Sequence, residues 1–149
     1  MSPGATDAGR GPAMTFRHRI PVMFQHCDPA GIVFYPRYFE MVNAVVETFF
    51  GEALGWPFHR MHGAERLGVP TARIDATFHA ASRLGDMLDW TLAVARVGGA
   101  SLDVTVTASC EGAARMTAEQ TLVLVDLDRM ASVRWPEERR AALARWMEG

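Results

Sequence analysis

The sequence has no lysine: its 15 basic side chains are all arginine, set against 17 acidic ones for a net charge of −2. The arginines are scattered, so the basic stripe of a nucleic-acid binder is missing. The lack of lysine reads equally well as a compositional bias. Cysteine is scarce too. Cys27 and Cys110 are far apart and match no metal-ligand spacing, which excludes a disulfide framework and leaves two small, half-buried apolar side chains. The histidines form no HExxH motif and no helical pair four apart, so no metal and no other cofactor is expected. No apolar run approaches the roughly 20 residues that cross a bilayer. Nothing near the N-terminus has the apolar core of a signal peptide. The expected setting is cytoplasmic, with neither membrane nor nucleic acid as partner.

What the sequence does have is apolar material. Of 149 residues, 49% are hydrophobic and 21% charged, enough for the core of one domain. Residues 1–14, rich in Gly, Ala and Pro, are expected to be a disordered tail, with Met14 as a candidate start. Residues 15–149 are read as a single domain. Residues 15–24 alternate like a strand, and Pro21 marks an edge or a bulge. Asp28-Pro29-Ala30-Gly31 is a turn signature. Pro36 then opens a helix, with Tyr38, Met41, Val42, Val45, Phe49 and Leu54 on one broad apolar face. The helix is expected over 36–53, ended by Gly55 and Pro57. Residues 56–68 read as a loop or short second helix. After Pro70 come four strands, 71–82, 87–97, 101–110 and 116–126, joined by short Gly-containing turns and hence antiparallel. A last helix is expected over 136–147. This order gives an α+β fold in which a five-stranded antiparallel sheet curls around a long central helix.

The densest chemical signal runs from His26 to Pro36. A carboxylate at a strand end is followed by a glycine turn and a proline-started helix. The turn can carry Asp28 toward the helix N-terminus, where backbone N–H groups have no intrahelical acceptor. A carbonyl bound there would be polarised, and more strongly as negative charge grows on its oxygen. Asp, with a reference pKa of about 3.9, is ionised at neutral pH without an activating partner. It can attack a carbonyl directly or deprotonate a water. On the residues alone, a structural acid in a common turn is the more frequent explanation.

The segment Asp28-Pro-Ala-Gly-Ile-Val-Phe-Tyr-Pro-Arg-Tyr resembles the signature of the hotdog-fold thioesterases of the 4-hydroxybenzoyl-CoA thioesterase type, the Pseudomonas-like branch. The resemblance continues more weakly through Pro70, Ala76-Thr77-Phe78, Asp86 and Ser101, over about residues 15–130. It implies hydrolysis of an acyl-CoA thioester, aromatic such as 4-hydroxybenzoyl-CoA or otherwise bulky, to free acid and CoA. Asp28 would be nucleophile or general base, and the backbone N–H of Tyr35 would polarise the carbonyl. It implies a homo-oligomer, a tetramer built as a dimer of dimers, with active sites at subunit interfaces and strands near Thr77 and Ser101 lining the partner's pocket. The substrate-binding candidates are His26, Gly31, Tyr38, Thr77 and Ser101. Where the 4-hydroxybenzoyl-CoA enzymes carry an Arg/Lys cluster for the nucleotide phosphates, this chain has Gly98-Gly99-Ala100, so the phosphates fall to Arg96, Arg129 or Arg134. Competing readings are an acyl-carrier-protein thioesterase and a non-catalytic acyl-binding module. A hotdog hydratase is disfavoured because the central helix holds no histidine.

Other residues are read more plainly. His26, two positions before Asp28 in an extended strand, would share its face. His79 reads as a strand histidine near Thr77, and His59 and His62 as loop histidines. Phe34, Tyr35, Tyr38, Phe49, Phe50, Trp56 and Phe58 should mostly be core, with Tyr38 and Trp56 the candidates to touch an acyl group. The terminal helix, flanked by Trp135 and Trp146, should dock on its own domain.

Overall fold

Tyr38, Met41, Val42, Val45, Val46, Phe49 and Phe50 recur at helical spacing, and all are buried. They form α1 (Tyr35–Thr48), which runs on into a π-helical segment, Phe49–Ala53, in a computed structural model that describes residues 14–147. The helix starts one residue before the expected Pro36. With its π segment it spans 19 residues, a moderate length rather than a long one.

The strands follow in chain order: β1 (Phe16–Pro21), β2 (Leu67–Gly68), β3 (Thr71–Phe78), β4 (Met87–Val97), β5 (Ser101–Cys110), β6 (Ala113–Val123), β7 (Val125–Asp126) and β8 (Ala131–Ser132). The main sheet has the order β1-β4-β5-β6-β3, every pair antiparallel. Side chains alternate across it, as strand geometry requires. Leu88, Trp90, Leu92, Leu102, Val104, Val106, Met116 and Leu122 are buried. The opposite face is polar, and there Thr91 and Thr107 share a hydrogen bond.

Several boundaries differ from expectation for local reasons. The β5–β6 turn is Glu111-Gly112 alone, both at positive φ (51° and 83°), so β6 begins at Ala113 rather than 116. β3 ends at Phe78, not residue 82, because the chain then leaves the sheet toward Ser82, which is fully buried. A small second sheet, β2-β7-β8, was not foreseen. The expected short helix is α2 (Phe58–His62), and the terminal helix α3 (Glu137–Ala144) is shorter than expected. Its flanks dock on this chain: the Trp135 indole donates to the Ser101 carbonyl at 3.0 Å, and the Trp146 ring lies 5.6 Å from Phe49. Cys27 and Cys110 are free thiols. The tail expected over residues 1–14 lies, Met14 apart, outside the described residues. Among those described, no helix is long and apolar enough to cross a membrane.

One strand lacks a cover. Every residue of β3 except Ala76 is exposed, although Ile74 and Phe78 lie in register with the buried Gln120 and Met116. β3 is also an edge, with no strand beyond it among the described residues.

Candidate active site

After β1 the chain does not stay extended. Val22 N–H donates to Asp86 O, and Phe24–His26 coil into a 3-10 turn. The shared strand face expected for His26 and Asp28 is therefore corrected. Met23 N–H donates to His26 Nδ1 at 2.9 Å, which closes the turn and buries the ring. Cys27 then bridges Val33, Asp28 N–H donates to Ile32 O (3.0 Å), and Gly31 N–H donates to Asp28 O (2.9 Å). Ala30 N–H donates to Asp28 Oδ1 at 2.9 Å. Gly31 sits at φ +80°, and a Cβ there would meet nothing within 4 Å, so its dihedral alone demands glycine. Gly31→Ala should cost about 1–2 kcal/mol, readable as a lower denaturation midpoint.

This turn delivers the chain to the start of α1. Phe34 N–H donates to His26 O (2.9 Å) and Arg37 N–H to Phe34 O (2.8 Å). Pro36 has no N–H. Tyr35 N–H is left with no acceptor among the described residues. Asp28 is half-buried, and its Oδ2 has no partner among the described residues. One short segment thus presents an open carboxylate oxygen and an open helix-start amide.

The walls come from the chain following β3. Tyr38 Oη donates to Ser82 Oγ at 2.8 Å, both buried, and Ser82 O accepts Val33 N–H at 2.9 Å. Leu84 N–H donates to Gly31 O at 3.0 Å, which buttresses the Asp28 turn. The Phe78 ring lies 6.1 Å from Tyr35, 5.7 Å from Tyr38 and 6.2 Å from Phe39. An open depression of about 290 Å³ lies among Val33, Tyr35, Tyr38, Phe78 and His79.

Arg115 holds the buttress, its Nη1 donating to Ala81 O (2.8 Å) and Asp86 Oδ2 (2.9 Å). The bond from Arg83 N–H, then that from Arg115, keeps the Asp86 carboxyl below the ordinary carboxylate range. Its stabilising contribution is therefore present above the ordinary value near 3.8 and is lost as pH falls through the lower folded value. Arg115→Met should move the onset of acid unfolding to higher pH, measured by circular dichroism. Ser82 and Arg115 carried no sequence signal, because their partners lie 44 and 29 positions away.

The remaining candidates divide. Gly31 and Tyr38 belong to this site. Thr77 adjoins Phe78 but points to the other face, paired with Thr117. Thr117 is in register with Thr107, and Ser101 lies six positions further along β5, about 20 Å away. Within one chain Ser101 therefore stands well away from Thr77 along the strands. Trp56 is core, a correction to its expected acyl contact: it is 1% exposed, bonded to Glu65 and covered by the Arg139 guanidinium at 4.4 Å. His79 Nε2 sits 2.9 Å from Thr117 Oγ1. His59 and His62 lie on α2. Arg129 pairs with Asp126 at 3.3 Å. Arg96 and Arg134 reach the Gly98-Gly99 turn, where Arg134 Nη1 lies 3.2 Å from the place a Gly99 Cβ would occupy. Arg140 donates to Gly98 O at the same turn.

The profile of the Thioesterase-like superfamily matches residues 22–143. No curated protein matches. Solved structures do. The Slr0204 1,4-dihydroxy-2-naphthoyl-CoA thioesterase from Synechocystis has a TM-score of 0.79 at 17% identity, covering 87% of this chain and 96% of that one. The BH1999 gentisyl-coenzyme A thioesterase has a TM-score of 0.76 at 22% identity, covering 87% and 98%. SAV2348 from Staphylococcus aureus, in complex with CoA, has a TM-score of 0.80 at 20% identity, covering 92% and 87%. At these identities the structural likeness establishes the fold, and the profile establishes the family. The chain belongs to the thioesterase-like superfamily and is a hotdog-fold thioester hydrolase.

Proposed function

We propose that the protein hydrolyses an acyl-CoA thioester, with an aromatic or other bulky acyl group, to the free acid and CoA. The carrying observation is the open N–H of Tyr35 beside the Asp28 turn. The thioester oxygen accepts from that amide, where the helix adds about half a unit of positive charge. As the carbonyl is attacked, the oxygen becomes anionic and the bond strengthens. Asp28 either attacks the carbonyl carbon, forming a mixed anhydride and expelling the CoA thiolate before water cleaves the anhydride, or takes a proton from an attacking water.

The acyl group lies against the rings of Tyr35, Tyr38 and Phe78. This apolar wall and the Asp28–Pro36 segment favour the 4-hydroxybenzoyl-CoA branch of the superfamily. The dihydroxynaphthoyl and gentisyl substrates of two structural neighbours are aromatic as well. Arg96, Arg134 and Arg140 meet at one turn with no carboxylate partner among the described residues, a patch that suits the phosphates of CoA.

The working unit is a homo-oligomer, a dimer of dimers, in the cytoplasm. β3 pairs antiparallel with a second copy of itself, which extends the sheet and covers Ile74 and Phe78. A two-fold axis there turns the Ser101 end of each sheet toward the other copy's Asp28, giving Thr77 and Ser101 their place beside the substrate.

The test is thiol release from a panel of aromatic and aliphatic acyl-CoAs and an acyl-carrier protein. Fastest turnover is expected with aromatic acyl-CoAs. Turnover of acyl-carrier protein alone would replace the carrier assignment, and tight acyl-CoA binding without thiol release would make the protein a binding module.

A further inference from the structure

We infer that His26 is a positioning residue, one that leaves Tyr35 N–H as the site's single carbonyl-polarising donor. The inference rests on the proposed hydrolysis and adds what holds its donor in place. Two bonds meet on this residue. Its ring nitrogen Nδ1 accepts Met23 N–H at 2.9 Å, and its own carbonyl accepts Phe34 N–H at 2.9 Å. The first bond fixes the 3-10 turn, and the turn fixes the carbonyl. The carbonyl in turn consumes the amide immediately before Tyr35. Without that bond the start of α1 would present two adjacent open amides, and the oxygen of a bound thioester would have no single seat.

The arrangement needs an uncharged ring. Nδ1 is an acceptor here, so the neutral imidazole carries its proton on Nε2. A second proton must go to Nδ1, where it would face the Met23 N–H, donor against donor. The charged groups bearing on the ring are Arg37 and Glu40 of α1, which pair with each other at 2.8 Å. On the loop side stand the Cys27 thiol, bonded to Met23 O, and Asp28 two residues on. Burial is the largest influence and holds the imidazole below its ordinary range, with Glu40 opposing and Arg37 reinforcing it. The closed turn is thus favoured above the ordinary histidine value near 6.5 and is lost as pH falls through the lower folded value.

The experiment follows the His26 ring and the Met23, Phe34 and Tyr35 amides of the 15N-labelled full chain by NMR between pH 8 and 5. Steady-state kinetics on an acyl-CoA run in parallel. The three amides should shift with one midpoint, that of the His26 ring. His26→Asn, whose side-chain oxygen accepts without titrating, should flatten those shifts. His26→Leu, which has no acceptor, should lower kcat by about ten- to a hundredfold, less than loss of a whole oxyanion donor, with KM little changed. His26→Asn should restore most of that kcat. A His26 titration that leaves the Phe34 and Tyr35 amides unmoved would overturn the inference, as would a Leu variant with unchanged kcat. The amide titration uses no substrate, so it decides the role of His26 even if the wild-type chain releases no thiol and the hydrolytic reading itself fails.

Discussion

Asp28→Asn should lower kcat for acyl-CoA hydrolysis by about 10²–10⁴-fold, the usual contribution of a positioned acid–base group. The fold should survive. Asn keeps an oxygen for the one bond the side chain makes, that from Ala30 N–H at 2.9 Å. The backbone bonds that shape the turn, Asp28 to Ile32 and Gly31 to Asp28, do not involve the side chain. Asn has the same shape but is neither a carboxylate nucleophile nor a base, so the substitution isolates the charge. Asp28→Ala should be equally inactive and slightly less stable, by about 1 kcal/mol for the lost turn bond. Thiol release and a thermal melt on the same preparations separate the two effects. An Asn variant that turns over at the wild-type rate would remove Asp28 from the chemistry.

Ile74→Glu should break the proposed oligomer at its β3 contact, lowering the mass of the assembly, and abolish most activity. Ile74 lies in register with the buried Gln120, yet is 37% exposed in the isolated chain. If a second β3 covers it, a carboxylate there must be buried without a partner, at about 3–5 kcal/mol per copy. The two-fold axis would count that cost twice. In the monomer the same substitution meets water and costs little, so the fold should persist. Size-exclusion chromatography with light scattering reads the assembly, and thiol release reads the site. A variant whose assembly keeps the wild-type mass would show that β3 is not where the copies pair. A dissociated variant with full activity would show that the site does not need the β3 contact.

Much of this architecture could be read along the chain. The spacing of Tyr38, Met41, Val42, Val45 and Phe49 fixes a helix with one buried face, and alternation in Leu88–Val94 and Leu102–Val106 marks strands that pack on it. Asp28-Pro29-Ala30-Gly31 marked the candidate turn because the dihedral at Gly31 is a local requirement. The 3-10 turn at Phe24–His26 stayed hidden. Val22, Met23 and Phe24 are apolar enough to continue a strand, and the bond that bends them depends on where one imidazole nitrogen points. Exposure of β3 was equally invisible, since alternation says which side chains share a face but not whether anything covers them. Trp56 was misread for a related reason. Its indole N–H is satisfied by Glu65 and its ring by Arg139, a contact from the opposite end of the chain.

Phe16 in β1 and Trp146 beyond α3 meet edge to face at 6.4 Å, and Met147 bridges Val94 in β4. The first strand and the last turn of the described chain therefore share one border of the sheet, the one opposite β3. A reporter domain joined directly at Met14 or Met147 would leave from that same shoulder, clear of the edge where copies are proposed to join. A linker tying Phe16 to Met147 there would span a short gap, and new termini could be opened at the Glu111-Gly112 hairpin without cutting the Asp28 turn.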